Sequence, residues 1–174
     1  MQPRLKNPAM TLPGAMESIM RLGKAVESSG VPRATLELTN MRASQINGCS
    51  VCVDMHSRAL KMLDESDERI IAVGAWRDAP YYSDAERAAL SLTEFVTRLN
   101  DREDPVPEEI WKEAARHFDE AALSALVMSI GVINLWNRLN VATRQESGEW
   151  TARYAEQLRP SSGEKRPRPR QSLS

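Results

Sequence analysis

The sequence predicts an all-α fold: one domain, a helical bundle of about seven helices. Three observations carry this. Apolar residues recur at three- and four-residue spacing along most of the chain. The period-2 alternation of strands is scarce. Short breaks rich in Gly, Pro or Asn cut the pattern into helix-length pieces. With 174 residues, of which 41% are hydrophobic and 27% charged, the chain is long enough for one domain with a real core.

Leu12-Pro13-Gly14 is a turn, after which Met16, Ile19, Met20 and Ala25 mark the inner face of a first helix. It stops at Ser28-Ser29-Gly30. Pro32 suits the opening turn of a second helix over about 33–46, and Asn47-Gly48 ends it, since both residues tolerate left-handed backbone. A third helix runs from about Cys49 to Leu63, and Asp64–Asp67 breaks it. A fourth spans Glu68–Trp76. Ser83-Asp84-Ala85-Glu86 is a capping-box signature that opens a fifth, to about Leu99. After the acidic loop 100–107 comes a sixth helix, with Ile110, Trp111 and Ala114 on its inner face. Asp119 caps a long seventh helix to about Asn140, apolar around most of its circumference and so placed in the core or at a subunit interface. Residues 1–150 read as the folded domain. Residues 151–174 read as a C-terminal extension, whose end, SSGEKRPRPRQSLS, is a basic, disordered, solubilising tail. No internal repeat is visible.

A net charge of −1 gives no global pull toward nucleic acid or membrane. The N-terminus lacks a signal-peptide pattern, and the longest apolar run, Ala121–Trp136, reads as too short and too polar for a span of about 20 residues. A cytoplasmic location is the expectation. In a reducing compartment, closely spaced cysteines point to catalysis or metal binding before structural stapling.

Both cysteines and one of the two histidines fall within NGCSVCVDMH, residues 47–56. On a helix, Cys49, Cys52 and His56 are spaced i, i+3, i+7 and share a face. The i, i+3 separation of about 5–6 Å is one a disulfide tolerates. His56, four residues past Cys52, can reach that sulfur, and the helix start favours a thiolate. If Asn47-Gly48 bends an antiparallel helical hairpin, facing residue numbers sum to roughly 95, which brings Glu37 within a turn of His56. There it would orient the imidazole; the alternative is an exposed helix charge. A c-type haem site is excluded, because Val53-Asp54-Met55 separate Cys52 from His56. Three readings stay open: a redox dithiol, a zinc site completed by Glu37 or His117, and an inert buried pair. His117 reads as a structural residue near a helix end. Asp54 and Arg58 read as solvated. The four tryptophans are too dispersed for a stacking platform.

Glu37, eleven residues, Cys49-Ser50-Val51-Cys52, three residues and His56 together resemble the E-x11-C-x2-C-x3-H signature of the alkylhydroperoxidase AhpD-like branch of the carboxymuconolactone decarboxylase family. The flanks RASQINGCSVCVDMHSRAL and INLWNRLNVATR are similar to the family core and its closing helix. The resemblance covers most of residues 12–145. It implies an AhpD-like all-α bundle that assembles as a trimer or hexamer. It implies a thiol-dependent peroxidase in antioxidant defence. Cys52 would attack a hydroperoxide, Cys49 would resolve, His56 would take the thiol proton and Glu37 would support His56. The reductant would be a dithiol donor, such as a lipoylated protein or a peroxiredoxin partner, with no metal, haem or flavin. Redox members can carry a second histidine between the cysteines. Ser50 and Val51 stand there in this chain, which implies a shorter proton relay. The alternative functions are a disulfide reductase, or a redox-sensing or zinc-holding interaction module without turnover.

Overall fold

A computed structural model describes residues 2–101, 103–148 and 151–152. Among the described residues it contains eight α-helices and no strand: α1 Pro8–Thr11, α2 Ala15–Glu27, α3 Arg33–Ile46, α4 Ser50–Met62, α5 Asp67–Ala72, α6 Asp84–Thr97, α7 Glu108–His117 and α8 Glu120–Thr143. Two 3-10 turns, Val73–Ala75 and Leu99–Asp101, follow α5 and α6. The extra helix, α1, is a single turn capped by the Asn7 side chain with Pro8 at its start. Four residues are too few to show a period, so the sequence pattern passes over it.

The caps explain most boundaries. Ser83 and Glu86 form the reciprocal capping box at α6. Asp119 accepts the Ala122 N–H at 2.9 Å and opens α8. Ser66 caps α5 and starts it one residue before the expected Glu68, and the last turn before Trp76 tightens to 3-10. α8 runs three residues past Asn140, to a left-handed Arg144 (φ 55°).

α3 and α8 form the centre of the bundle. α3 packs on α4, α6 and α8, while α8 also packs on α2 and α6. One core cluster joins Leu36, Leu92, Ala114, Leu126 and Ile130; a second joins Leu38, Leu60, Trp76 and Leu90. Leu38 and Leu60 are fully buried, so truncating either to Ala costs about 3 kcal/mol. Two expected inner faces are displaced. On α2 the buried residues are Ile19 and Val26, whereas Met20 and Ala25 are exposed. On α7 the buried position is Ala114, and Trp111 is exposed. In both helices the packed stripe is narrower than the apolar pattern.

α8 corrects another expectation. The helix reaches 24 residues, and its most apolar window has a mean hydropathy of 1.3, long and apolar enough on composition alone to cross a membrane. Its inward face is nonetheless built into the bundle and carries the buried, hydrogen-bonded Asn134, Asn137 and Asn140. The expected disordered tail lies outside the described residues. Thr151, the first residue of the expected extension, is fully buried and its hydroxyl donates to the Asp54 carboxylate.

Candidate active site

The site is built on the turn between α3 and α4. Gly48 takes φ 67°, where an L side chain is strained, and folds α4 back along α3. Asn47 stays right-handed (φ −84°) and puts its side chain to another use, described below. The Cys49 N–H donates to Ser44 O at 3.0 Å, which closes the turn.

Cys49 is the N-cap of α4. Its sulfur accepts the Cys52 N–H at 3.3 Å, the place an N-cap oxygen usually fills. Cys49 and Cys52 are paired as a disulfide with Cα atoms 5.4 Å apart. Both are buried, in a cluster with Ala43, Val51 and Ile133, against which Met55 and Trp136 pack. One turn further along α4, His56 Nδ1 lies 2.7 Å from Glu37 Oε2 on α3. Glu37 is only 7% exposed and so is not a solvated helix charge. Arg33, one turn back on α3, sits 3.6 Å from its other oxygen. The hairpin thus brings together the four residues that the sequence singled out. With its Nδ1 held by a carboxylate, the imidazole keeps Nε2 for proton transfer.

A shallow pocket of about 580 Å³ opens at the head of α4. Cys49, Ser50, Asp54 and Ser57 line one side, Ser44, Gln45 and Gly48 the other; Cys52 and His56 are not among its lining residues. Cys49 is therefore the sulfur that faces the opening. Asp54 and Arg58 pair with each other at 2.9 Å, and Asp54 also anchors Thr151.

Sequence reasoning missed what holds the turn in place. Three asparagines on α8, at 134, 137 and 140, form a polar stripe on an otherwise apolar helix. Asn47 Nδ2 donates to Asn134 Oδ1 (3.0 Å) and Asn137 Oδ1 (2.8 Å), and Asn137 Nδ2 donates to Ser44 Oγ at 3.0 Å. Asn140 Nδ2 donates to Cys52 Sγ at 3.3 Å. The available signal was the N-x2-N-x2-N spacing within INLWNRLN, since asparagine is costly on a buried apolar face unless it is hydrogen-bonded. His117 lies elsewhere, at the end of α7, with Nε2 3.2 Å from Glu113 Oε1. The hydrogen bond from His117 holds the Glu113 carboxyl below its ordinary pKa. Among the described residues, no group of three or more His, Cys, Asp and Glu side chains could hold a metal ion.

Comparisons with known proteins agree with this geometry. A model of the carboxymuconolactone decarboxylase family matches residues 13–95, a stretch that contains Glu37, Cys49, Cys52 and His56. The uncharacterized protein YdfG of Bacillus subtilis is 37% identical over 130 residues, which is 75% of this chain and 87% of YdfG. The chain belongs to the carboxymuconolactone decarboxylase family. Within the family it falls in the AhpD-like branch. It superposes with a TM-score of 0.78, at 33% identity, on the crystal structure of an Agrobacterium tumefaciens protein of unknown function for which an AhpD-type antioxidant role has been suggested. That match covers 85% of this chain and 99% of the other. The alkyl hydroperoxide reductase AhpD of a Bradyrhizobium strain is 46% identical over a shorter stretch of 37 residues, 21% of this chain and 20% of that protein. At family level these relatives support a peroxidase-like role. This AhpD-like chain places the exposed Ser50 and the buried Val51 between its cysteines. No second histidine stands between the cysteines, and His56, paired with Glu37, lies one turn beyond Cys52.

Proposed function

We propose that this protein is a thiol-dependent peroxidase that reduces organic hydroperoxides through the Cys49–Cys52 dithiol–disulfide cycle. The observation that carries the reading is the His56–Glu37 pair, 2.7 Å apart, one turn beyond a CxxC whose cysteines sit at disulfide distance. Reduced Cys52, as thiolate, attacks the distal oxygen of ROOH. The O–O bond breaks, and the proton that His56 holds goes to the departing alkoxide, which leaves as ROH. Cys52 is now a sulfenic acid. Cys49 attacks its sulfur, forms the disulfide and releases water. A dithiol donor, such as a lipoylated protein or a peroxiredoxin partner, restores the pair. It enters at Cys49, the sulfur that faces the pocket. The cycle needs no metal, haem or flavin, and its compartment is a reducing cytoplasm. The working form is a homo-oligomer, trimer or hexamer, whose contacts cover the apolar surface that α8 leaves open.

The test is turnover of cumene hydroperoxide with dihydrolipoamide and other dithiols, comparing the wild type with Cys52→Ser and Cys49→Ser. The expected result is turnover in the wild type alone, with a trappable sulfenic acid in Cys49→Ser. Sulfenic acid in Cys52→Ser but not in Cys49→Ser would reverse the roles. No turnover with any donor, from a pair that still cycles between dithiol and disulfide, would replace the peroxidase with a disulfide reductase.

A further inference from the structure

The Cys52 sulfur has a hydrogen-bond donor that comes from the far end of the chain. Asn140 Nδ2 donates to Cys52 Sγ at 3.3 Å. Asn140 Oδ1 in turn accepts from Asn7 Nδ2 at 2.7 Å, across 133 residues of sequence. Asn7 Oδ1 accepts the backbone N–H of Ala9 at 3.0 Å. A backbone N–H can only donate, so the direction of the whole chain is set from that end. Asn7 must turn its NH2 to Asn140, and Asn140 must turn its NH2 to the sulfur. Asn7, Asn140 and Cys52 are all buried. The N-terminal segment is tied to the end of α8 just before Asn7: Arg4 N–H donates to Thr143 O at 2.9 Å, and Gln145 Nε2 donates to Leu5 O at 2.9 Å.

We propose that Asn140 is a further catalytic residue, a fixed N–H donor that stabilises the Cys52 thiolate, and that Asn7 is the positioning residue that keeps this donor aimed at the sulfur. The inference rests on the dithiol reading above. A hydrogen bond to an ionised acceptor is stronger than one to a neutral acceptor, and linked bonds in a low-dielectric interior reinforce one another. Asn140 therefore favours thiolate over thiol and over disulfide. In the reductive step a donor thiolate attacks Cys49, the Cys49–Cys52 bond breaks, and its electron pair stays on Cys52. The second thiol of the donor then displaces Cys49 from the mixed disulfide and leaves oxidised. A better-stabilised Cys52 thiolate is a better leaving group in that exchange. The ionisable side chains on the surrounding elements are committed elsewhere. Glu37 holds His56 and Arg33, Asp54 holds Arg58, and Arg138 and Arg4 donate to carbonyls of α8.

Two readouts that need no hydroperoxide test this. The first is the pH midpoint of Cys52 alkylation by iodoacetamide in a Cys49→Ser background. The second is the equilibrium of the intact dithiol with dihydrolipoamide. Asn140→Ala removes the donor. Asn7→Asp still accepts the Ala9 N–H and so keeps the α1 cap, but it cannot donate; Asn140 then turns its NH2 to the carboxylate and its oxygen to the sulfur. Asn7→Ser keeps the cap without a charge and leaves Asn140 unaimed. The expected result is a midpoint raised by about one unit in the first two variants and by less in the third. The equilibrium shifts toward disulfide by up to about tenfold in parallel. A lowered melting temperature with unchanged midpoint and equilibrium in Asn140→Ala and Asn7→Asp would make the pair merely structural and overturn the proposal. If the wild type proves inert toward hydroperoxides while the midpoints shift, the peroxidase reading fails and this inference stands. Turnover with unshifted midpoints sinks this inference alone.

Discussion

His56 Nδ1 and Glu37 Oε2 are 2.7 Å apart, joined across the α3–α4 hairpin by residues 19 apart in sequence. The contact gives the imidazole one orientation, and under the proposed mechanism Glu37 supports His56 in its proton transfer. Glu37→Gln keeps the shape and removes the charge. Peroxidase kcat/KM should fall by about a hundredfold, the scale of a general acid–base contribution. Because Arg33 is half-exposed and the amide remains a hydrogen-bond partner, the melting temperature should change little. A stopped-flow assay with cumene hydroperoxide, run beside a thermal melt, checks both. Unchanged turnover would remove Glu37 from the chemistry.

Gly48 sets the turn that makes this contact possible. A Cβ built at Gly48 meets nothing within 4 Å, so the cost of a substitution is its left-handed backbone alone. Gly48→Ala should lose about 1–2 kcal/mol, which lowers the melting temperature by roughly 2–8 °C for a chain of this size. Gly48→Asn should lose less, since asparagine tolerates φ > 0. Calorimetry of the two variants tests the order. Equal losses would mean that strain at φ 67° is not what Gly48 relieves.

The legible part of the molecule was the part written in local pattern. Capping residues placed α6 and α8, and helical phase put Cys49, Cys52 and His56 on one face. A numbering sum across Asn47-Gly48 brought Glu37 to His56. What stayed illegible depended on partners far away in sequence. The N-x2-N-x2-N spacing in α8 marks Asn134, Asn137 and Asn140 as a group, but nothing local names their partners Asn47, Ser44, Cys52 and Asn7. Nothing near Asn7 says that residue 140 will receive its amide. Trp111 fails for a related reason: an aromatic on an amphipathic helix reads as core, yet whether it is covered depends on what packs there. Trp76 shows the opposite case, buried because Glu94 accepts its indole N–H at 2.9 Å.

Glu94 gives a pH prediction. Burial alone would raise its pKa. Hydrogen bonds from Trp76, Arg77 and Arg42, together with the Arg42 charge, outweigh burial and hold the carboxyl at about 2. Arg77 also stacks on the Trp76 ring at 4.4 Å. A folded-state pKa below the unfolded value means that the unfolded chain binds the proton more readily. The stabilisation is fully present above about pH 4.5 and is lost as the pH falls toward about 2. Glu94→Gln should be less stable than the wild type at pH 7, and the gap should close between pH 4.5 and 2. Melting curves of the two proteins across that range decide it. A gap that stays constant would assign the stabilisation to packing instead.

The last prediction concerns assembly. On α8, Val127, Met128, Leu135 and Val141 are between 36% and 47% exposed, and Val127 joins Val96, Leu99, Val106 and Trp111 along a groove of about 490 Å³. An apolar helix that is central to the bundle on one face and bare on the other matches a subunit contact. Light scattering should give a mass that is a multiple of 19.5 kDa, three- or sixfold under the proposed assembly. Val127→Asp together with Trp111→Asp places two charges in the groove without touching the dithiol cluster, and should shift the mass toward one chain. A wild type that is monomeric at micromolar concentration would refute the oligomer, and an unaltered mass in the double variant would move the contact away from this groove.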